Sequence, residues 1–156
     1  MEHPSLIPTL RTQASPIARA ACAIYGMLLL YSGLAPWAGW RDLGIQALAF
    51  LTAPFPRYTT TFDLVVNVVA YLPFGALIVL ALYPRVRGVS AIVIGALGGA
   101  LLAGLVEAVQ TYLPTRVASN VDLMSNSIGA LAGAALTAPF AAALIDRGRL
   151  VEWRRR

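Results

Sequence analysis

No lysine occurs in this chain; its twelve basic residues are all arginine. Charge of either sign is scarce, at 12% of residues, where a soluble domain carries about 25%. The one cysteine, Cys22, lies inside an apolar run, so no intramolecular disulfide can form and its small side chain serves packing. The one histidine, His3, lies in a polar tail. One His and one Cys leave no ligand set for structural zinc. No arginine run is interleaved with aromatic residues, so the electrostatic footprint of a nucleic-acid binder is missing. What remains is apolar: 58% of residues are hydrophobic and the mean hydropathy is +0.71. That is the composition of an integral membrane protein. Most of the net charge of +5 lies in the tails and one short loop, where it serves orientation at a membrane.

A helix needs about 20 apolar residues to cross a bilayer. Four stretches qualify, at 17–36, 63–82, 90–111 and 121–145, between a tail at 1–16 and a basic tail at 146–156. The expected fold is an all-α membrane protein with four transmembrane helices. Arg11 and Arg19 precede the first run as in a signal peptide, but no convincing small-x-small cleavage site follows, so it reads as a retained helix. The loop at 37–62 carries Trp37, Trp40, Phe50, Phe55 and Tyr58, residues suited to a membrane–water interface. Its piece LGIQALAFL is too short to span and is expected to lie in the surface. Pro73 is expected to kink the second span. Gly95, Gly99, Ala103 and Glu107 recur every four residues in the third span and share one face. Small residues at that spacing let helices approach closely in a bilayer. Ser125, Gly129 and Gly133 make a second such seam in the fourth span.

The arginines orient these spans. With a cytoplasmic amino end, Arg11, Arg19, Arg85, Arg87, Arg147, Arg149 and Arg154 to Arg156 fall inside, against Arg41, Arg57 and Arg116 outside. Nine against three is a positive-inside bias, so both termini are expected in the cytoplasm. The polar residues then collect just under the outer interface. Asp63 and Asp122 stand at the mouths of the second and fourth spans, with Asn67 and Asn126 one turn deeper. Glu107 lies about 9 Å below Leu113 at the helical rise, and Gln110 shares its face. Arg116 sits on the short turn above.

A weak internal repeat relates the two mouths. Residues 60–76, TTFDLVVNVVAYLPFGA, align with 119–135, SNVDLMSNSIGALAGAA, through Asp63/Asp122, Leu64/Leu123, Asn67/Asn126, Leu72/Leu131 and Ala76/Ala135. Two helical hairpins related by a pseudo-twofold axis along the membrane normal would produce it. Plain structural roles compete with this grouping. Thr60 and Ser119, each three residues before an Asp, are helix-capping patterns that account for both acids by themselves. The asparagines and Gln110 also suit packing between helices. Glu107 resists such an account, because a carboxylate in a Gly/Ala seam is costly unless protonated or paired, for example with Arg116.

Taken together, these pieces resemble the VanZ-like family of small bacterial membrane proteins. They are Asp63-x3-Asn67-x3-Tyr-Leu-Pro-Phe-Gly, Glu107-x2-Gln110 and Arg116-x2-Ser119-x2-Asp122-x3-Asn126-x2-Gly129. The resemblance covers roughly residues 17–140. It implies a multi-pass protein of the bacterial cytoplasmic membrane, and the founding member is linked to resistance to the glycopeptide teicoplanin. Some relatives have an acid where Ser119 stands here, so this chain lacks the fourth carboxylate that a metal site would use. The expected site comprises Asp63, Asn67, Glu107, Gln110, Arg116, Ser119, Asp122 and Asn126. The partners expected for it are a membrane lipid, a lipid-linked cell-wall precursor or a lipoglycopeptide. Arg116 would hold a phosphate or carboxylate as a fork. No cofactor is expected, though Asp63, Glu107 and Asp122 are the right ligand type for Mg²⁺ or Ca²⁺. Two alternatives stand beside binding. One is an enzyme using Glu107 and Asp122 as acid and base, although no nucleophile motif accompanies them. The other is a structural or partner-binding module; a transporter built from these four spans would need a homodimer to enclose a pathway.

Overall fold

The computed structural model describes residues 14–56 and 58–146. His3, Arg11, Arg57 and the arginines beyond Asp146, which carry most of the charge argument for orientation, lie outside the described residues. The chain forms α1 (Pro16–Gly33), α2 (Thr61–Leu82), α3 (Gly88–Gln110) and α4 (Asn120–Thr137), then a 3₁₀ turn (Ala138–Phe140) and a short α5 (Ala141–Asp146). No strand occurs among the described residues. Among the described residues, four segments are long and apolar enough to cross a membrane, the last running from Asn120 to Asp146.

Local chemistry explains where these helices begin. Pro16 opens α1, where its missing N–H is no loss, and the Ser15 hydroxyl accepts the Ala18 amide at 3.2 Å. α2 starts with a closed capping box: Thr60 Oγ accepts the Asp63 amide at 3.1 Å, and Asp63 accepts the Thr60 amide at 3.3 Å. α2 runs unbroken through Pro73. The Tyr25 hydroxyl of α1 donates to the Ala70 carbonyl at 3.0 Å, next to the carbonyl that Pro73 leaves without its helical donor. The fourth span is not one continuous α-helix; it changes to the 3₁₀ turn around Pro139.

α4 packs most closely on α2 and next on α3, while α1 lies chiefly against α2. Glycine makes the close approach possible. A Cβ on Gly129 would meet the Val68 carbonyl, one on Gly133 the Leu72 carbonyl, and one on Gly75 the Ala130 carbonyl. These helices therefore touch backbone to backbone. On α3, a Cβ on Gly95 would lie 2.8 Å from Ala134 Cβ, and one on Gly99 would overlap the Ala130 side chain. Two antiparallel pairings follow, Gly95 with Ala134 and Gly99 with Ala130. One turn further along each helix, they bring Ala103 level with Asn126, and two turns further Glu107 level with Asp122.

Residues 37–56 form a cover over the end of the bundle that holds the α3–α4 turn. The Arg41 amide donates to the Tyr112 carbonyl at 3.1 Å, and Asn120 Nδ2 donates to the Ala53 carbonyl at 2.7 Å. Trp37, Trp40 and Phe55 are exposed, as an interfacial loop requires, but Phe50 is only 4% exposed and turns inward from a 3₁₀ turn at Ala49–Leu51. At the opposite end, the Tyr83 hydroxyl donates to Asp146 and the Arg87 guanidinium lies 4.9 Å from the Tyr83 ring centre. The hydrogen bond to Asp146, with burial, holds the Tyr83 hydroxyl above the ordinary tyrosine range.

Candidate functional site

The polar residues gather in the half of the bundle nearest the cover. Glu107 is 2% exposed, at the end of the Gly95/Gly99/Ala103 face of α3. Its Oε2 accepts the backbone amide of Ser119 at 2.7 Å. Ser119 Oγ in turn accepts the amides of Val121 and Asp122, so the start of α4 is capped by its own serine and by a glutamate from the neighbouring helix. Asp122 is half-buried and accepts Asn67 Nδ2 at 3.0 Å. Asp122 and Arg116 lie within electrostatic reach of Glu107, and Asp63 within reach of Asp122.

One turn deeper than Asp122, Asn126 is 6% exposed and its buried Oδ1 has no hydrogen-bond partner. A buried polar group without a partner costs about 1–3 kcal/mol, so Asn126 is retained at a price in stability. Tyr71, 5% exposed on α2, also lies close enough to interact with the Glu107 charge. The pattern around Asn67 places it on that helix face, four residues on, but its nearness to Glu107 depends on how α2 meets α3.

Other expected site residues have different surroundings. Gln110 donates from Nε2 to the Gly33 carbonyl at 2.8 Å, and Arg116 from Nε to the Ala35 carbonyl at 2.9 Å. Gln110 thereby serves the last carbonyl of α1, which would otherwise lack a helical donor, and Arg116 pins the chain just past it. Arg116 and Glu107 make no direct ion pair; each has the partner named above. Asp63 is exposed and folds back on Thr60. The Ser125 hydroxyl donates to the Asp122 carbonyl at 3.1 Å. No three His, Cys, Asp or Glu side chains among the described residues are grouped so as to hold a metal ion.

On the far flank of the α3–α4 pair lies a second feature, an apolar groove of about 760 Å³. Its walls include Leu97, Leu101 and Gly104 of α3 and Met124 and Ile128 of α4, with Leu51 of the cover at one end.

Four apolar spans around a buried carboxylate, Glu107, define a multi-pass α-helical membrane protein. The VanZ/LLP1 family model matches residues 19–142, and the chain belongs to that family. The match takes in every residue of the cluster. No curated protein and no solved structure matches the chain.

Proposed function

We propose that this protein binds an amphiphile of the bacterial envelope at the Glu107 cluster, from the outer leaflet of the cytoplasmic membrane. The candidate classes are a membrane lipid, a lipid-linked glycan precursor and a lipoglycopeptide; a contribution to glycopeptide tolerance would follow from the last two. The observation that carries this reading is Asn126, a buried amide with an unused acceptor one turn from Asp122 and level with the α3 turn below Glu107. Acceptors dominate the unfilled capacity of the cluster. Glu107 accepts one hydrogen bond among the described residues, and Asp122 accepts one from Asn67. A sugar hydroxyl, amide or amine would supply the missing donors. Arg116 is exposed at the mouth and contributes the cationic side chain there. The outward orientation is supported by the arginine distribution.

Binding is favoured over turnover because the nearby hydroxyls serve the backbone. Ser119 Oγ caps α4, and the Ser125 hydroxyl is given to a main-chain carbonyl. Neither is paired with a base as a nucleophile requires. In cells, Glu107→Gln and Arg116→Ala are each expected to abolish an envelope or glycopeptide-tolerance phenotype at unchanged protein level. Full function in both variants rejects the proposal.

A further inference from the structure

Asn67 and Asp122 join α2 to α4 near the cover, and one turn deeper on the same two helix faces stand Tyr71 and Asn126. The Tyr71 ring packs in a buried cluster with Leu29, Phe74, Ala103 and Ala130. A helical side chain leans toward the start of its helix, so the Tyr71 hydroxyl is carried out of that cluster toward the cover end. Glu107 lies there, one turn beyond Ala103 on α3, with its charge within electrostatic reach of Tyr71.

Both groups have capacity left over. Glu107 Oε2 takes the Ser119 amide, while Glu107 Oε1 and the Tyr71 hydroxyl make no hydrogen bond among the described residues. Unlike Asn126 Oδ1, neither of these two atoms is completely enclosed. A buried tyrosine hydroxyl ordinarily finds a partner. A phenylalanine at position 71 would fill the same cluster without desolvating one, so packing accounts for the ring and not for the hydroxyl. The two leftover capacities are of unlike kind: the carboxylate oxygen accepts and the tyrosine O–H donates. An ammonium has three donors and no acceptor; it would serve Glu107 and leave the tyrosine hydrogen unmatched. A hydroxyl donates and accepts at one atom, which suits two groups reaching in from neighbouring helices.

Given the amphiphile site proposed at Glu107, we infer that the group bound there is a head-group hydroxyl, which donates to Glu107 Oε1 and accepts from the Tyr71 O–H. Tyr71 thereby selects hydroxyl-bearing head groups over ammonium ones. A sugar and a glycerol head both carry such a hydroxyl. The bond to Glu107 is the stronger of the two, because its acceptor is ionised; the bond from Tyr71 supplies the discrimination, because only a ligand with an acceptor can receive it.

The test uses full-length protein in vesicles of choline phospholipid, doped with one further lipid of identical chains and a glucosyl, phosphoglycerol or phosphoethanolamine head. Lipid retained on the purified protein is counted by mass spectrometry, and the part lost in Glu107→Gln is the part held at the cluster. The expected result is Glu107-dependent retention of a hydroxyl-bearing lipid, several-fold above the ethanolamine lipid; preference for the glucosyl or the phosphoglycerol head names the source of the hydroxyl. Tyr71→Phe keeps the ring in its cluster. It is expected to melt with the wild type, to weaken retention of the hydroxyl-bearing lipid about three- to tenfold, and to leave the ethanolamine lipid as it was. Glu107-dependent retention that favours the ethanolamine lipid, or that is indifferent to Tyr71→Phe, overturns the inference and leaves the amphiphile site at Glu107 standing. So does a Tyr71→Phe protein that melts well below the wild type, which assigns the hydroxyl to the fold. Absence of Glu107-dependent retention for all three lipids overturns the inference together with the amphiphile site.

Discussion

The starts of α2 and α4 carry the same short pattern, a hydroxyl residue, an Asp three residues later and an Asn four after that, yet they are wired differently. At α2 the pattern is self-contained. Thr60 and Asp63 cap each other at the exposed helix end. At α4 the serine still caps, but Asp122 does not return to the Ser119 amide; Glu107 of α3 takes that amide instead. Asp122 is thereby released to accept from Asn67, the asparagine of the matching pattern in α2. The reciprocal bond, Asn126 to Asp63, is not made, because Asp63 is engaged with Thr60 and Asn126 lies buried below. The difference shows that one acid in a helix cap is interchangeable with another. When a neighbouring helix supplies the capping carboxylate, the local one becomes free for a different role.

Substitutions at four positions would break or sharpen this comparison. The largest effect is expected from Gly129→Leu. The position that aligns with it in α2 is Ala70, which carries a side chain, whereas a Cβ at Gly129 collides with the Val68 backbone. A backbone cannot move aside as a side chain does, so a loss of more than about 3 kcal/mol is expected. It would be read as the absence of a folded species in detergent by size exclusion and thermal melting. Next is Glu107→Ala, which strips the Ser119 amide of its acceptor inside the bundle and is expected to cost about 2 kcal/mol. Glu107→Gln keeps a carbonyl oxygen for that amide and is expected to melt closer to the wild type while losing ligand. Equal melting of the two variants would show that Asp122 swings back to close the box.

Asn126→Leu addresses the half of the pairing that is missing. Replacing an unpartnered buried amide by an apolar group of similar size is expected to leave stability unchanged or raise it by about 1 kcal/mol, while the proposed binding at the cluster falls. Lower stability with intact binding would mean that Asn126 serves packing. The smallest effect is expected from Asp63→Ala, which removes a cap at an exposed helix end. It should cost about 1 kcal/mol or less and leave ligand binding at the Glu107 cluster as it was. A large binding defect there would place Asp63 inside the site and make the two helix starts alike in role.

Much of the architecture could be read from the amino acids. Long apolar runs admit few structures in a bilayer, because every backbone group must be satisfied within the segment. Four helices therefore followed from run length, and the positions of Gly95, Gly99 and Ala103 on one α3 face followed from their spacing. The membership of the polar cluster was partly legible for the same reason. Residues three or four apart share a helix face, so Asp122 with Asn126 and Glu107 with Gln110 were neighbours before any helix was packed. The inward turn of Phe50 and the break around Pro139 were less so. The first depends on the cover meeting α3 and α4, and the second on how much bend the bundle accepts at its far end.

What composition and periodicity alone determined is the membrane class, the four spans, and the presence of a costly carboxylate on a packing face. Only the tertiary structure decided what that carboxylate touches. Arg116 stood nearest in the chain as its counter-charge, but Arg116 holds the Ala35 carbonyl just past α1, and Glu107 holds the amide of Ser119, the residue that caps α4. Such choices turn on hydrogen-bond geometry between segments far apart in sequence, where a shift of one ångström exchanges one partner for another. Spacing along a helix carries no information at that scale, whereas the backbone contacts at Gly75, Gly129 and Gly133 set it directly.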